Sequence, residues 1–360
     1  MRNRLKITFV LPFGCPLPCG GPKVIYEYAN HLARRGHSVT VVHPALLGAK
    51  LTLLKRAKAA IRYVQRSIDR SYRPDQWFHV DPSVRVMWVP SLAEQHIPDA
   101  DVIVASWWQT AEVVNGYSSA KGRHFYLLQG LETWDGNEER VYSTWKMPFT
   151  KIVIAHWLGD IADSLNESSV LIQNGLDFSK FGMDTPPAMR NSSQCMMLHH
   201  PYNLKGTADG LQALSLVKQQ IPSLRVLCFG VSAPPASLPE WIEYRRNPQQ
   251  TTLRNLYNQA SIFIAPSWCE GWGLTASEAM MCGAAVVATD IGGHREFAFH
   301  EHTALLSPPK DPRLLAANIL RLLRDSELRV NLAERGHQYI QQFTWDRAVE
   351  QLETVLLQGE

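Results

Sequence analysis

The segment 262–289 changes twice between strand-like and helix-like residues, and this order constrains the fold more than any other part of the chain. The apolar run Ile262–Ala265 is followed by a turn with glycines at 271 and 273, and then by the helix-prone residues 276–281. A second apolar run occupies residues 282–289. Strand, turn, helix and strand in this order predict parallel strands joined by covering helices.

The N-terminal half shows the same alternation. Strand-like runs lie at residues 7–11, 38–42, 101–106 and 124–129, and helical apolar spacing occupies residues 24–35. A chain of 360 residues is long for one core, so two α/β domains are expected. No run is long and apolar enough to span a bilayer, and Pro12 and Gly14 interrupt the first apolar run too early for a signal peptide.

Charge and cysteine usage narrow the class of protein. A net charge of +3 gives no general attraction to nucleic acid. The six cysteines are mostly scattered within or beside apolar runs, which favours reduced thiols and a cytoplasmic location. Cys15 and Cys19 form the only close pair, and without a second pair or a histidine cluster at ligand spacing we expect no metal site.

The turn at 271–275 is predicted to bind phosphate. A helix that begins there presents free backbone N–H groups, and glycines let an anion approach the backbone closely. Glu270 and Glu278 flank this turn, and because a carboxylate repels phosphate, they are expected to accept hydrogen bonds from hydroxyls of the same ligand. A diphosphate with hydroxyls at both ends is a nucleotide-sugar. Acidic residues that merely complement a helix dipole are the alternative for these two glutamates.

The run Pro-Ser-Trp-Cys-Glu-Gly-Trp-Gly-Leu-Thr-Ala-Ser-Glu-Ala at 266–279, with Gly283 and the stretch Gly-Gly-His-Arg-Glu at 292–296, resembles the donor motif of glycosyltransferase family 4. That resemblance implies a retaining, metal-independent enzyme of the GT-B fold, with two Rossmann-like domains facing each other across a cleft. It implies that Glu278 binds the donor ribose and that Glu270 contacts the hexose near its reacting carbon. Backbone groups of Gly271, Trp272, Gly273, Leu274 and Thr275 would hold the diphosphate and sugar.

The stretch Asn174–Asp177 matches the family's hinge signature, so we place the domain boundary there. Residues 1–175 are expected to bind the acceptor and residues 176–345 the donor. The last helix, within residues 346–360, would cross back to the first domain.

Three further residues, two basic and one aromatic, are candidates for binding the donor. Lys205, followed by Gly206 at a helix start, is the best cationic ligand for phosphate, and we assign it a catalytic role together with Glu270. His200 stands where the family usually has arginine, and it either binds donor phosphate or is satisfied within its own turn. Tyr244 is expected near the nucleotide base.

In the first domain, the resemblance implies that Gly20 and Gly21 contact the donor phosphate or the acceptor. The alternative is a helix-entry turn with no ligand. Polar and aromatic residues at two strand ends are candidates for the acceptor site, because a sugar ring packs its C–H face on an aromatic ring. The alternative is that the tryptophans only pack between the domains. The candidates are Trp107, Trp108, Gln129, Glu132 and Trp134. The stretch 129–132 also resembles a bacterial branch that acts on cell-surface polysaccharides, including rhamnosyltransferases.

Residues 51–73 form a basic amphipathic segment, with seven lysines and arginines and the single acid Asp69. Such a helix either rests on an anionic membrane, at the inner face of the plasma membrane, or lies in solvent with its apolar stripe packed on its own domain.

The resulting hypothesis is a metal-free transferase that moves a hexose or deoxyhexose from a nucleotide-diphosphate sugar to a hydroxyl of a glycan or lipid-linked glycan. Two other functions fit the same pattern of residues. One is a non-catalytic nucleotide-sugar or glycan-binding protein, and the other is a sugar phosphorylase, which would use free phosphate.

Overall fold

The computed structural model describes residues 4–47, 53–135 and 137–358. Its first half contains β1 (Lys6–Val10), α1 (Gly20–Arg34), β2 (Ser38–Leu46), α2 (Leu53–Asp69), β3 (Arg85–Ser91), β4 (Val102–Ala105), α3 (Trp108–Val114), β5 (Arg123–Leu128), α4 (Glu138–Trp145), β6 (Thr150–Val153), α5 (His156–Ser164) and β7 (Ser169–Leu171). Its second half contains β8 (Gln194–Leu198), α6 (Thr207–Gln220), β9 (Arg225–Gly230), β10 (Ile242–Arg246), α7 (Gln250–Gln259), β11 (Ile262–Ala265), α8 (Leu274–Met281), β12 (Ala285–Thr289), β13 (Ala304–Ser307), α9 (Pro312–Arg324), α10 (Ser326–Ile340) and α11 (Trp345–Leu357).

The chain divides into two compact units. One comprises Met1–Gly175 together with Trp345–Glu360, and the other comprises Leu176–Thr344. Helix α11 therefore belongs to the first unit, where the Glu353 carboxylate pairs with Arg35 at 2.7 Å and with His37 at 3.0 Å. The first unit is discontinuous in sequence.

Each unit is built on one parallel sheet. The first sheet has the strand order β3-β2-β1-β4-β5-β6-β7, and the second has the order β10-β9-β8-β11-β12-β13. The order reverses between β1 and β4 in the first sheet and between β8 and β11 in the second. In such sheets ligands bind outside the carboxyl ends of the strands at these reversal points. The loops that follow β8 and β11 are therefore the first place to look for a site.

Helix α1 begins earlier than expected. The helical spacing predicts a helix over residues 24–35, whereas Gly20 and Gly21 already form the first turn. Pro22 is compatible with this position, because the first-turn N–H groups of a helix have no intrahelical acceptor and proline lacks that group. The glycine pair thus lies at the N-terminus of α1 and not in a loop before it.

Helix α2 also differs from one expectation. Residues 51 and 52 of the predicted basic segment lie outside the described residues, and the helix runs over Leu53–Asp69. The apolar side chains of Ile61, Val64 and Ile68 are exposed and not packed on the first unit. For these three residues the alternative in which the stripe packs on its own domain is therefore wrong; the fourth residue of the predicted stripe, Leu54, lies outside the described side chains. No described helix has both the length and the hydropathy needed to cross a membrane.

The six cysteines form no disulfide bonds with one another. Cys15, Cys195, Cys228 and Cys282 are buried, whereas Cys19 is exposed and Cys269 is partly exposed. Burial raises the pKa of the Cys195 and Cys228 thiols to about 12, so they behave as small apolar core groups.

His43 on β2 is expected to make the first unit sensitive to acid. Its ring is fully buried between the Tyr26 hydroxyl at 2.5 Å and the Phe13 carbonyl at 2.7 Å, and burial lowers its pKa from 6.5 to about 4. Between these pH values the unfolded chain binds a proton that the folded chain does not, so stability falls as the pH falls. One proton over this range corresponds to about 3 kcal/mol.

We therefore expect His43→Gln to reduce the loss of unfolding free energy between pH 6.5 and pH 4, measured by urea unfolding at both values. The matched control is His302→Gln at an exposed position. An unchanged pH dependence in His43→Gln would contradict the prediction.

Candidate functional site

The loops that follow β8 and β11 meet in the second unit and bring Lys205 to Glu270. The Lys205 ammonium donates to both carboxylate oxygens of Glu270 at 2.8 Å. The Ser267 hydroxyl donates to Oε1 of the same carboxylate, also at 2.8 Å. Both ends of the ion pair remain partly exposed, with side-chain exposures of 29% for Lys205 and 15% for Glu270. A ligand can thus reach a positive and a negative group at one place.

Electrostatics keep Glu270 ionised. Burial acts to raise the pKa of this carboxyl, but the Lys205 charge and its hydrogen bonds outweigh burial and hold the pKa below its ordinary value. Glu270 is therefore a carboxylate at neutral pH, able to accept hydrogen bonds but not to donate a proton.

The position of Lys205 is set by backbone contacts between the two loops. Gly206 has a φ of +60°, and a Cβ there would lie 1.9 Å from the Pro266 carbonyl oxygen, so only glycine fits. The Trp268 N–H donates to the Leu204 carbonyl at 2.7 Å. The Trp268 indole N–H donates to Asp209 at 2.6 Å. These contacts join the lysine loop to the glutamate loop.

The turn after Glu270 ends at the N-terminus of α8. Gly273 is the N-cap residue, with a φ of +106°, and Leu274 begins the helix. The first N–H groups of a helix lack intrahelical acceptors, and the helix dipole adds partial positive charge at the same place. The Trp272 side chain is buried and its indole N–H donates to Ser277 at 3.0 Å. Trp272 therefore offers a ligand its backbone and not its ring.

Glu278 lies on the second turn of α8 and is mostly buried. The Tyr257 hydroxyl on α7 donates to its Oε2 at 3.2 Å. The Tyr257 ring is fully buried among Phe181, Phe229 and Phe263. The Glu278 carboxylate is thus held by the hydroxyl of a tyrosine whose ring is fixed among buried aromatic side chains.

The sequence interpretation did not assign a role to Gly293 or His294, and both contact the turn after Glu270. A Cβ on Gly293 would lie 2.5 Å from the Glu270 carbonyl oxygen and 2.9 Å from the Trp272 nitrogen. The His294 ring is buried against Gly273, and its Nδ1 lies 2.8 Å from the Thr289 carbonyl. Burial lowers the pKa of His294, although the Glu270 charge opposes the shift. The glycine pair at 292–293 was the available signal.

His200 lies two residues after the end of β8, and Tyr244 is the middle residue of β10. The His200 Nδ1 accepts the Tyr202 N–H at 3.1 Å, which places the ring proton of the neutral form on Nε2. Burial and the Lys205 charge lower the pKa of His200, so it offers a neutral N–H donor at pH 7. The Nδ1 side of the histidine is thus satisfied within its own turn. The Tyr244 hydroxyl donates to the Ser232 carbonyl at 2.8 Å.

In the first unit the structure separates the predicted acceptor residues into two groups. Trp107 and Trp134 pack edge to face at 5.6 Å, and Phe13 packs on Trp107 at 6.5 Å. Trp134 and Phe13 are exposed, so this aromatic cluster is open to a ligand. Gln129 lies beside Gly21, where a Cβ would meet its amide at 3.6 Å.

Trp108 and Glu132 are corrections to the predicted acceptor site. Trp108 has no exposed surface, so its ring cannot pack against a sugar in this conformation. Glu132 is buried and its carboxylate accepts the Trp108 backbone N–H at 2.7 Å, which satisfies a donor at the start of α3.

Among the residues that the structure describes, no three His, Cys, Asp or Glu side chains cluster so as to hold a metal ion. Independence of metal stays a prediction.

A family model described as Glycosyl transferases group 1 matches residues 195–325, which include Lys205, Glu270 and α8. This segment of the chain is therefore similar to group 1 glycosyl transferases. An uncharacterised glycosyltransferase of Methanocaldococcus jannaschii is 35% identical over 97 residues, which cover 27% of this chain and 28% of that protein. A D-inositol 3-phosphate glycosyltransferase of Acidothermus cellulolyticus is 26% identical over 273 residues, covering 73% of this chain and 55% of that protein. The matched segments thus span about a quarter to a half of these relatives.

The fold has solved counterparts over almost its whole length. The structure of HepE from Anabaena in complex with UDP-glucose superimposes with a TM-score of 0.74 at 17% identity, covering 98% of this chain and 99% of that one. Two parallel-sheet, Rossmann-like domains together with this likeness confirm the predicted GT-B fold class.

Proposed function

We propose that the chain is a retaining glycosyltransferase that moves a hexose or deoxyhexose from a nucleotide-diphosphate sugar to a hydroxyl of a glycan or lipid-linked glycan. The single observation that carries the proposal is the Lys205–Glu270 pair, which the loops after β8 and β11 form where the strand order of the second sheet reverses. The family match to residues 195–325 and the UDP-glucose bound to HepE support it. The proposed place of action is the cytoplasm, including the inner face of the plasma membrane.

In the proposed mechanism the donor diphosphate lies against the first turn of α8 and the Lys205 ammonium. Amide dipoles and a lysine charge stabilise the negative charge that develops on the leaving diphosphate without a metal ion. Glu278 would accept hydrogen bonds from the ribose, with Tyr257 holding its carboxylate. His200 would donate its Nε2 hydrogen to a phosphate oxygen, and Tyr244 would lie near the base.

The reaction proceeds on one face of the sugar. The bond from the anomeric carbon to the diphosphate oxygen breaks, and the acceptor hydroxyl oxygen forms its bond from the same side. The departing phosphate takes the acceptor's proton. Glu270, ionised and partly exposed, positions the sugar and stabilises positive charge at its ring. A covalent intermediate on Glu270 is the other route to retention.

The acceptor is proposed to bind at the first unit. The open cluster of Phe13, Trp107 and Trp134 offers aromatic faces for a sugar ring, with the Gln129 amide as a hydrogen-bonding group beside Gly21. Gly20 and Gly21, at the N-terminus of α1, are proposed to contact a phosphate group.

Nucleotide binding tests the proposal directly. We expect one of UDP, GDP, dTDP or ADP to raise the melting temperature by several degrees, because a ligand at 100 times its Kd stabilises the folded state by about 2.7 kcal/mol. EDTA should leave the shift unchanged. Thermal unfolding with each nucleotide, and with inorganic phosphate as the control, measures this.

Stabilisation by phosphate alone would favour a sugar phosphorylase. Nucleotide binding without transfer or donor hydrolysis would favour a non-catalytic binding protein. A strict requirement for a divalent cation would contradict the metal-free mechanism.

A further inference from the structure

Helix α2 carries an apolar stripe that faces outward. Ile61, Val64 and Ile68 are 68%, 57% and 79% exposed. Their spacing of three and four residues places them on one face of the helix. Three large aliphatic side chains in one exposed row are costly to leave in water, unlike single exposed apolar residues.

The opposite face of α2 attaches the helix to the first unit. Ala59 is buried there, and the Tyr63 ring stacks on Trp88 at 6.3 Å. The Trp88 indole N–H donates to the Tyr63 carbonyl at 3.0 Å, and the Arg66 guanidinium lies 5.7 Å from the Trp88 ring centre. The inner face therefore fixes the helix without using the apolar stripe. The apolar stripe therefore remains exposed and available for contact with another surface.

Charge indicates the chemistry of that partner. The helix contains five basic residues and one acid, Asp69. The Asp69 carboxylate is occupied locally, since it accepts the Ser71 N–H at 2.8 Å. Lys58 and Arg62 are exposed and lie on one flank of the stripe. An apolar row with cations beside it fits a surface that is apolar inside and anionic at its edge.

We propose that the outer face of α2, defined as Ile61, Val64 and Ile68 with Lys58 and Arg62, docks on an anionic lipid bilayer. The helix would lie in the plane of the interface, with the three aliphatic side chains among the acyl chains and the cations at the headgroups. A second copy of the chain is a poorer partner, because two such faces would bring like charges together. This inference does not depend on the proposed function.

Vesicle sedimentation tests the docking surface. The full chain is mixed with vesicles of phosphatidylcholine containing phosphatidylglycerol, or of phosphatidylcholine alone. We expect binding to the anionic vesicles that weakens with salt. The triple variant Ile61→Ser, Val64→Ser, Ile68→Ser should bind roughly tenfold or more weakly, since buried apolar area and charge act together. The matched control replaces Val170, Met189 and Leu314, also exposed, by serine.

The outcomes separate cleanly. Equal vesicle binding by the chain and the α2 triple variant overturns the proposal, as does absence of binding to anionic vesicles. A concentration-dependent dimer that the α2 variant abolishes, without vesicle binding, overturns it in favour of a second copy. The melting temperature without ligand should be similar in the chain and in both triple variants, which shows that they are folded whether or not a nucleotide binds. This control keeps the test apart from that of the proposed function.

Discussion

Replacing Glu270 by glutamine is expected to reduce glycosyl transfer on the order of 10²-fold, the scale at which loss of one preorganised electrostatic group acts. Nucleotide binding should be retained or become tighter. In the free protein the Lys205 ammonium is shared between both oxygens of Glu270. With the carboxylate gone, that charge is available to the donor diphosphate. Transfer and nucleotide affinity should therefore change in opposite directions, measured by initial rates and by calorimetry with the nucleoside diphosphate.

Lys205→Met is the companion variant, and it should weaken both properties, because Glu270 would then face the diphosphate unpaired. A matched control is Arg321→Gln, which breaks an exposed ion pair with Glu301 in the same unit. Parallel losses of affinity and transfer in Glu270→Gln would contradict the assigned role and indicate that the carboxylate only maintains the loop.

Gly293→Ala is expected to disturb the donor site although it adds one methyl group. Gly293 has ordinary helical angles, φ −64° and ψ −35°, so the conflict is one of space and not of backbone strain. The added Cβ would lie 2.5 Å from the Glu270 carbonyl oxygen, and this backbone must move to make room. We expect a destabilisation of about 1–3 kcal/mol and a nucleotide affinity at least roughly tenfold weaker.

Urea unfolding and nucleotide calorimetry measure these effects. The control is Gly159→Ala in α5, where the nearest atoms would lie 3.9 Å away. That variant should be neutral or stabilising by about 0.5–1 kcal/mol, because alanine is the better helix residue. Unchanged nucleotide affinity in Gly293→Ala would show that the turn after Glu270 does not hold the ligand.

The sequence predicted the second unit better than the first, for physical reasons. In the segment 262–289 the strand, the turn, the helix and both glutamates follow one another along the chain. The residues that determine the local fold are therefore neighbours in sequence of those that form the candidate site. The sequence did not indicate a role for Gly293 and His294, because they lie in the loop after β12 and contact the turn that follows the neighbouring strand β11. Sequence spacing does not reveal such a contact.

In the first unit, the sequence did not reveal which of the aromatic side chains are buried. Trp107 and Trp108 are adjacent and chemically alike, yet one joins the open aromatic cluster and the other is completely enclosed. The start of α3 between them turns the two rings in different directions. Amphipathic spacing in α2 likewise predicted a stripe correctly, but not which face of the helix would be covered.

The discontinuity of the first unit has a consequence for engineering. Residues 176–344 form an uninterrupted insert, and its two ends join the first unit at Gly175 and Trp345, where a Cβ on the glycine would touch the tryptophan ring at 2.5 Å. The corresponding unit of a related protein can therefore be exchanged at two neighbouring junctions. A fragment ending at residue 175, by contrast, would lose α11 and leave Arg35 and His37 without Glu353.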